Sequence, residues 1–166
     1  MTEAHWHLLF NHMPIMGSFF GFIILTAGIF MKQPMVRKTA YCVLIFSSLL
    51  TLPAFFSGEG AEEMIEDLPT ISHRLIHEHE ESAEFALWLS ELLGILAGVS
   101  LFLEHTRHKL ASVMSILTLI LNLGTFASMS FVGNSGGEIR HPEIRNEKSA
   151  ESEVDSTLKI QEDNHH

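Results

Sequence analysis

The feature that most constrains this chain is a set of four long apolar stretches separated by short polar breaks. They cover residues 13–31, 39–58, 85–103 and 110–133. At about 1.5 Å of rise per residue, a helix of about 20 residues crosses the roughly 30 Å hydrocarbon layer of a bilayer. Transmembrane strands would instead show shorter, alternating segments. The sequence therefore predicts an all-α integral membrane protein, folded as a four-transmembrane-helix up-down bundle in the lipid bilayer.

Composition excludes several other classes of protein. Hydrophobic residues make up 46% of the chain and charged residues only 18%, which is too apolar for an ordinary soluble domain. The single cysteine, Cys42, excludes a disulfide scaffold. The net charge of -10 leaves no basic stripe to neutralise phosphates, so we expect no nucleic-acid partner.

The connectors indicate how the chain is oriented. Residues 32–38 and 104–109 join the first two spans and the last two as hairpins on one side of the membrane. Their basic residues are Lys32, Arg37, Lys38, Arg107 and Lys109, against one acid, Glu104. Because short cytoplasmic loops are rich in Lys and Arg, we expect the hairpins on the cytoplasmic side of the membrane. Both termini and the middle loop are then periplasmic.

Two segments extend beyond the spans. The third helix is predicted to begin near Ser72 and to project outward from the membrane before its span starts at Phe85. We take residues 1–133 as the membrane domain. Residues 134–166 are polar, acidic and without periodicity, which predicts a disordered tail.

Side chains able to bind a metal collect at the end of the bundle where the chain starts and finishes. They are His12 at the start of span one, Glu59 and Glu62 after span two, His77, His79, Glu81 and Glu84 before span three, and Glu138 and His141 after span four. On helix three, His77, Glu81, Glu84, Trp88 and Glu91 share one face, and His79 lies on the opposite one. The His79 face continues as Ala83, Ala86, Ser90, Gly94 and Ala97. Such small residues let another helix or a flat cofactor approach closely.

Glu91 is the candidate catalytic residue. A carboxylate inside a span costs several kcal/mol unless it faces the bundle interior and is hydrogen bonded or protonated. Its presence favours a proton step or a contact with a cofactor, and Asn122 is a candidate partner. The alternative is a neutral Glu91 with a purely structural hydrogen bond.

Several short motifs carry a resemblance to a known family. They are Asn11-His12-Met13-Pro14-Ile15, the segment from Gly58 to Glu63, and the segment from Leu75 to Glu84. The chain resembles a family of bacterial four-helix inner-membrane proteins of unknown function, whose first span opens with a His-x-Pro-Ile motif. The resemblance covers roughly residues 8–133 and implies a periplasmic pair of histidines, His12 and His79. Relatives fused to Rieske or c-type cytochrome domains imply respiratory redox chemistry, although this chain has neither a Rieske domain nor a CxxCH motif.

Three functions remain open from the sequence. In the first, His12 and His79 hold a b-type haem in a small electron-transfer protein or respiratory-complex subunit that works with a protein redox partner. In the second, a Fe, Zn or Mn ion is bound by carboxylates and histidines from the set above. The Glu138-x-x-His141 spacing suits such a site, but the glycines before it and Pro142 after it predict a loop. In the third, the chain is a scaffold or assembly subunit without a cofactor.

Overall fold

The computed structural model describes residues 10–63 and 73–140, and this part of the chain is helical apart from two short connectors. Its helices are α1 (His12–Phe30), α2 (Pro34–Glu63), α3 (His73–His105) and α4 (Ala111–Arg140). All of them are long and apolar enough to cross a membrane. The predicted all-α class and four-helix bundle are confirmed.

The helices follow an up-down path in which each packs beside its neighbours in sequence. The main contacts are those of α1 with α2, α2 with α3, α3 with α4, and α4 with α1, which closes the bundle. We call the end with the two connectors the hairpin end. The opposite end, where α1 and α3 begin and α2 and α4 finish, is the terminal end.

The apolar surface of the helices is divided between the interior and the surroundings. Inside, Leu25, Leu44, Leu93 and Ala97 are almost fully buried and form one apolar layer with Tyr41. Outside, large side chains such as Phe46, Phe102 and Ile120 are more than 60% exposed. Such a surface is stable only against lipid, as expected of a multi-pass membrane protein.

Both connectors are tight turns of the same kind. After α1, Gln33 N–H donates to the carbonyl of Gly28, and Lys32 takes a left-handed conformation with φ 52°. After α3, His108 N–H donates to the carbonyl of Leu103, and Arg107 also has φ 52°. These are Schellman caps, which satisfy the last carbonyls of a helix. They reverse the chain within a few residues and so keep consecutive helices adjacent.

The predicted boundaries are wrong in two places. The first connector is shorter than the predicted residues 32–38, since α2 begins at Pro34, a residue suited to the first turn of a helix. The predicted tail begins too early, since α4 continues past Gly133 to Arg140. The start of α3 at His73 agrees with the predicted outward extension. Residues 141–166, with His141, lie outside the described part of the chain.

The extra turns of α4 have a physical cause in the contacts they make. Ser135 bonds to the His79 ring of α3, and the Asn134 amide donates to Glu138 one turn later at 2.8 Å. Packing against the outward extension of α3 offsets the poor helix propensity of Gly133, Gly136 and Gly137. The loop predicted around Glu138 is therefore wrong as far as Arg140.

The glycine that lies closest to the backbone of a facing helix is Gly28, near the hairpin end. A Cβ atom added to Gly28 would lie 2.9 Å from the backbone nitrogen of Arg37 and 2.8 Å from its Cγ. Backbone cannot rotate away, so we expect Gly28→Ala to lower the free energy of unfolding by about 1–3 kcal/mol, the usual cost of overpacking. Gly98→Ala is the matched control, because no atom lies within 4 Å of the added Cβ.

The measurement is the loss of helical circular dichroism as detergent-solubilised protein is unfolded with dodecyl sulfate. The gain in helix propensity from Gly to Ala is common to both variants, so their difference reports the contact alone. Equal stability of the two variants would contradict the close approach of α1 and α2.

Candidate functional site

Polar side chains inside the bundle pair mainly with one another across helix boundaries. The pairs are Ser18 with Asn122, Ser47 with the carbonyl of Pro14, Thr51 with Ser90, Tyr41 with Ser115, and Ser100 with Thr118. Their separations run from 2.6 to 2.9 Å. Each such bond in a membrane protein contributes about 0.6 kcal/mol on average. Together they fix the rotation and height of every helix against its neighbours.

Glu91 is the ionisable residue near the middle of this interior. It is half-buried on α3, and its carboxyl group accepts a hydrogen bond from Ser48 of α2. Ser48 lies directly against Gly94, one turn along α3, where a side chain would collide with it. The Oε1 atom of Glu91 is buried and has no hydrogen-bond partner. Asn122, the partner expected from the sequence, bonds instead to Ser18 of α1 through both its Oδ1 and Nδ2 atoms.

A second carboxylate, Glu104, forms an ion pair with a mostly buried cation. The sequence did not indicate it as a site residue. Its Oε1 is 2.8 Å from Nη2 of Arg37, and the two side chains are only 6% and 13% exposed. One atom on each side, Glu104 Oε2 and Arg37 Nε, is buried without a partner. The sequence signal was the presence of a single acid beside five cations in the hairpins. This ion pair ties the start of α2 to the end of α3.

His79 is seated between α3 and α4 at the terminal end. Its Nδ1 lies 2.7 Å from Ser135 Oγ, and its Cε1 lies 3.1 Å from the position that a Cβ of Gly136 would occupy. The hydroxyl of Ser135 also donates to the carbonyl of Val132 at 3.0 Å. The ring therefore fills the space left by a glycine, and a hydrogen bond fixes its orientation.

His12 opens α1 in a different setting. Its ring is exposed, and its Nδ1 bonds to the side-chain oxygen of the preceding residue, Asn11. One turn further, Ile15 Cδ1 lies 3.3 Å from the position of a Cβ on Gly133. The structure thus brings the first turn of α1 and the His79 turn of α3 against the same stretch of α4.

The remaining candidates on α3 face outward. His77 is 70% exposed and contacts Glu81 at 3.4 Å and Glu80 at 3.8 Å, all within its own helix. Glu84 is exposed and accepts a bond of 3.4 Å from Trp88 Nε1. Ala86, Ser90 and Ala97 on the opposite face are buried, as predicted. The prediction is wrong for Glu91, which was assigned to the outward face but is half-buried and bonded to Ser48.

The predicted carboxylate cluster draws on the ends of both α2 and α3. Glu59 and Glu62 belong to the last turns of α2, but their side chains lie outside the described part of the chain. Among the side chains that the structure does describe, no three His, Cys, Asp or Glu residues are grouped as metal ligands.

Removing the carboxyl group should affect the free energy of unfolding differently at Glu91 and at Glu104. Glu104→Leu leaves Arg37 buried without its counter-charge, so we expect a loss of about 3–5 kcal/mol in the free energy of unfolding. Glu91→Leu removes a group that has one buried oxygen without a partner, so we expect equal or higher stability. The measurement is the unfolding titration described above, with Glu78→Leu, from the exposed pair with Arg74, as a control expected to change by less than about 1 kcal/mol.

A loss of several kcal/mol in Glu91→Leu would instead show that this carboxyl group is a structural anchor. An unchanged stability in Glu104→Leu would show that the ion pair does not hold the hairpin end together.

We compared the chain with protein-family models, curated proteins and solved structures, and no match was found in any of the three. The resemblance to the four-helix inner-membrane family therefore stays a prediction. Function has to be argued from the site, because a helical bundle alone hosts many activities.

Proposed function

We propose that this chain is a small electron-transfer protein, or a subunit of a respiratory complex, of the bacterial inner membrane, with a b-type haem or a metal ion held at the terminal end. The observation that carries the proposal is the fixed position of the His79 ring. Its Nδ1 lies 2.7 Å from Ser135 Oγ, and the ring packs against Gly136. Histidines that bind metals are commonly oriented in this way by a hydrogen bond to a second residue. A purely solvated histidine would need neither contact.

His12 is the second ligand in this proposal. Ile15 on the same helix contacts Gly133, three residues before the Gly136 that supports His79. The small side chains of this stretch of α4 would let a flat group approach the helix closely. Bound there, a haem or a redox-active metal ion such as iron would supply a one-electron carrier. The chain itself supplies the imidazoles and their orientation by Asn11 and Ser135.

Glu91 serves as the proton-binding group in this proposal. Ser48 holds its carboxyl group in place, while Oε1 is buried without a hydrogen-bond partner. A charge that changes at the terminal end alters the cost of keeping Glu91 ionised inside the span. Proton uptake by Glu91 would then balance electron uptake at the site.

The charge distribution supports an orientation with the terminal end in the periplasm. At the hairpin end, Arg37 is neutralised by Glu104, whereas Lys32, Arg107 and Lys109 are exposed. Exposed cations in short loops favour the cytoplasmic side. A partner protein that exchanges electrons with the site would then dock from the periplasm or within the membrane.

Two other functions are retained as alternatives. A carboxylate site for Fe, Zn or Mn would use His77, Glu81 and Glu84 together with Glu59 and Glu62, but the first three lie on the exposed side of α3. A scaffold or assembly subunit without a cofactor is favoured by a different observation. The interior polar side chains form pairs between helices, which is what a purely structural bundle requires.

The experiment is an absorption spectrum, oxidised and dithionite-reduced, of purified full-length protein, with metal analysis of the same sample. We expect a Soret band with sharp reduced bands, or stoichiometric metal, and loss of either in His79→Ala. His77→Ala is the matched control, because this histidine lies two residues away but points outward. Ser135→Ala should keep the bound group but shift its midpoint potential, since it acts only by orienting His79.

Three outcomes would contradict the proposal. Full retention of the bound group in His79→Ala removes this residue from the site. Metal that is lost with Glu81→Gln or Glu84→Gln, and without a Soret band, favours the carboxylate alternative. A colourless, metal-free protein that folds and inserts favours the scaffold.

A further inference from the structure

A groove runs along the seam between α3 and α4 on the outside of the bundle. Its lining residues are Glu81, Ser82 and Phe85 of α3 and Gly124, Ser128 and Phe131 of α4. Its volume is about 530 Å³, within the roughly 300–1,000 Å³ usual for small-molecule sites. None of the redox residues proposed above lines it.

The deep part of the groove is apolar and open. No atom lies within 4 Å of a Cβ added to Gly124, so this glycine forms an unfilled floor. Phe85 and Phe131 are 63% and 62% exposed and form walls. From Phe131 to Gly124 the helix descends about 10 Å toward the middle of the bundle. A lipid acyl chain lying in the groove would run toward the middle of the membrane between these two aromatic rings.

The shallow part of the groove is polar and negatively charged. Glu81, which is 70% exposed, and Ser82 lie about one turn outside Phe85, at the terminal end. On the neighbouring turns the exposed carboxylates are Glu78, Glu80 and Glu84, against Arg74 and His77. The excess of negative charge attracts a cationic headgroup and repels an anionic one.

We propose that this groove binds a membrane lipid with an ammonium headgroup, of the phosphatidylethanolamine kind. The ammonium pairs with Glu81, and one acyl chain lies on Gly124 between Phe85 and Phe131. Both parts of the lipid are matched at the right depth, since the carboxylate lies at the terminal end and the apolar floor lies about 10 Å deeper than Phe131. The site is independent of the redox function proposed above.

The test is lipid binding to the full-length protein in detergent, followed by native mass spectrometry. Phosphatidylethanolamine and phosphatidylglycerol with identical acyl chains are titrated separately. We expect tighter binding of phosphatidylethanolamine by the unmodified protein. Gly124→Leu fills the floor and should weaken this binding at least tenfold. Gly98→Leu is the matched control, because Gly98 is equally open but lies outside the groove, and it should change binding less than twofold.

Glu81→Gln tests the contact with the lipid headgroup separately from the contact with the acyl chain. It should abolish the preference for phosphatidylethanolamine over phosphatidylglycerol while leaving the helical content unchanged. Binding of both lipids with equal affinity by the unmodified protein would overturn the charge match. Unweakened binding in Gly124→Leu would overturn the site. A dimer that Gly124→Leu dissociates would overturn it too, since a second copy of the chain would then occupy the groove.

Discussion

The structure depends on the fact that a bilayer offers its interior polar groups no water. A hydroxyl, amide or carboxyl group placed between the helices is costly unless it finds a partner on its own helix or on a neighbour. In this bundle the partners are other side chains at a matching height, as with Thr51 and Ser90 or Ser100 and Thr118. Hydrophobicity inserts the helices, but it cannot orient them, because lipid is as apolar as leucine. Hydrogen bonds and close glycine contacts therefore set the rotation of each helix.

The features of each single helix, namely its span and the face that packs, were largely predictable from the sequence. Hydropathy and length identify the spans, and the small residues on the His79 face of α3 identify the side that packs. The pairing between helices was not predictable in the same way. Asn122 was expected to meet Glu91, but it meets Ser18, because periodicity gives the face of a residue and not its height relative to another helix. The end of α4 was missed for a related reason, since its glycines are held helical by contact with His79.

The two carboxylates within the bundle show how the same group is handled in two ways. Glu104 is paired with Arg37, so its charge is balanced and its role is to join two helices. Glu91 receives only the hydroxyl of Ser48 and keeps one buried oxygen without a partner. A second cation opposite Glu91 would have made it another anchor. No cation is among the described contacts of Glu91, and the proposed function assigns proton binding to this carboxyl group.

The turns at the hairpin end show a comparable compromise between stability and charge. Lys32 and Arg107 both occupy left-handed positions, where a side chain costs about 1–2 kcal/mol and glycine is the favoured residue. Glycine would give a more stable turn but would remove an exposed cation from each connector. In the proposed orientation, those cations lie on the cytoplasmic side, where short loops are rich in Lys and Arg. The strain in the turns therefore fits a chain that needs a defined orientation in the membrane. On our proposal, the site at the terminal end has to face a partner on one side of the membrane, and this requires such an orientation.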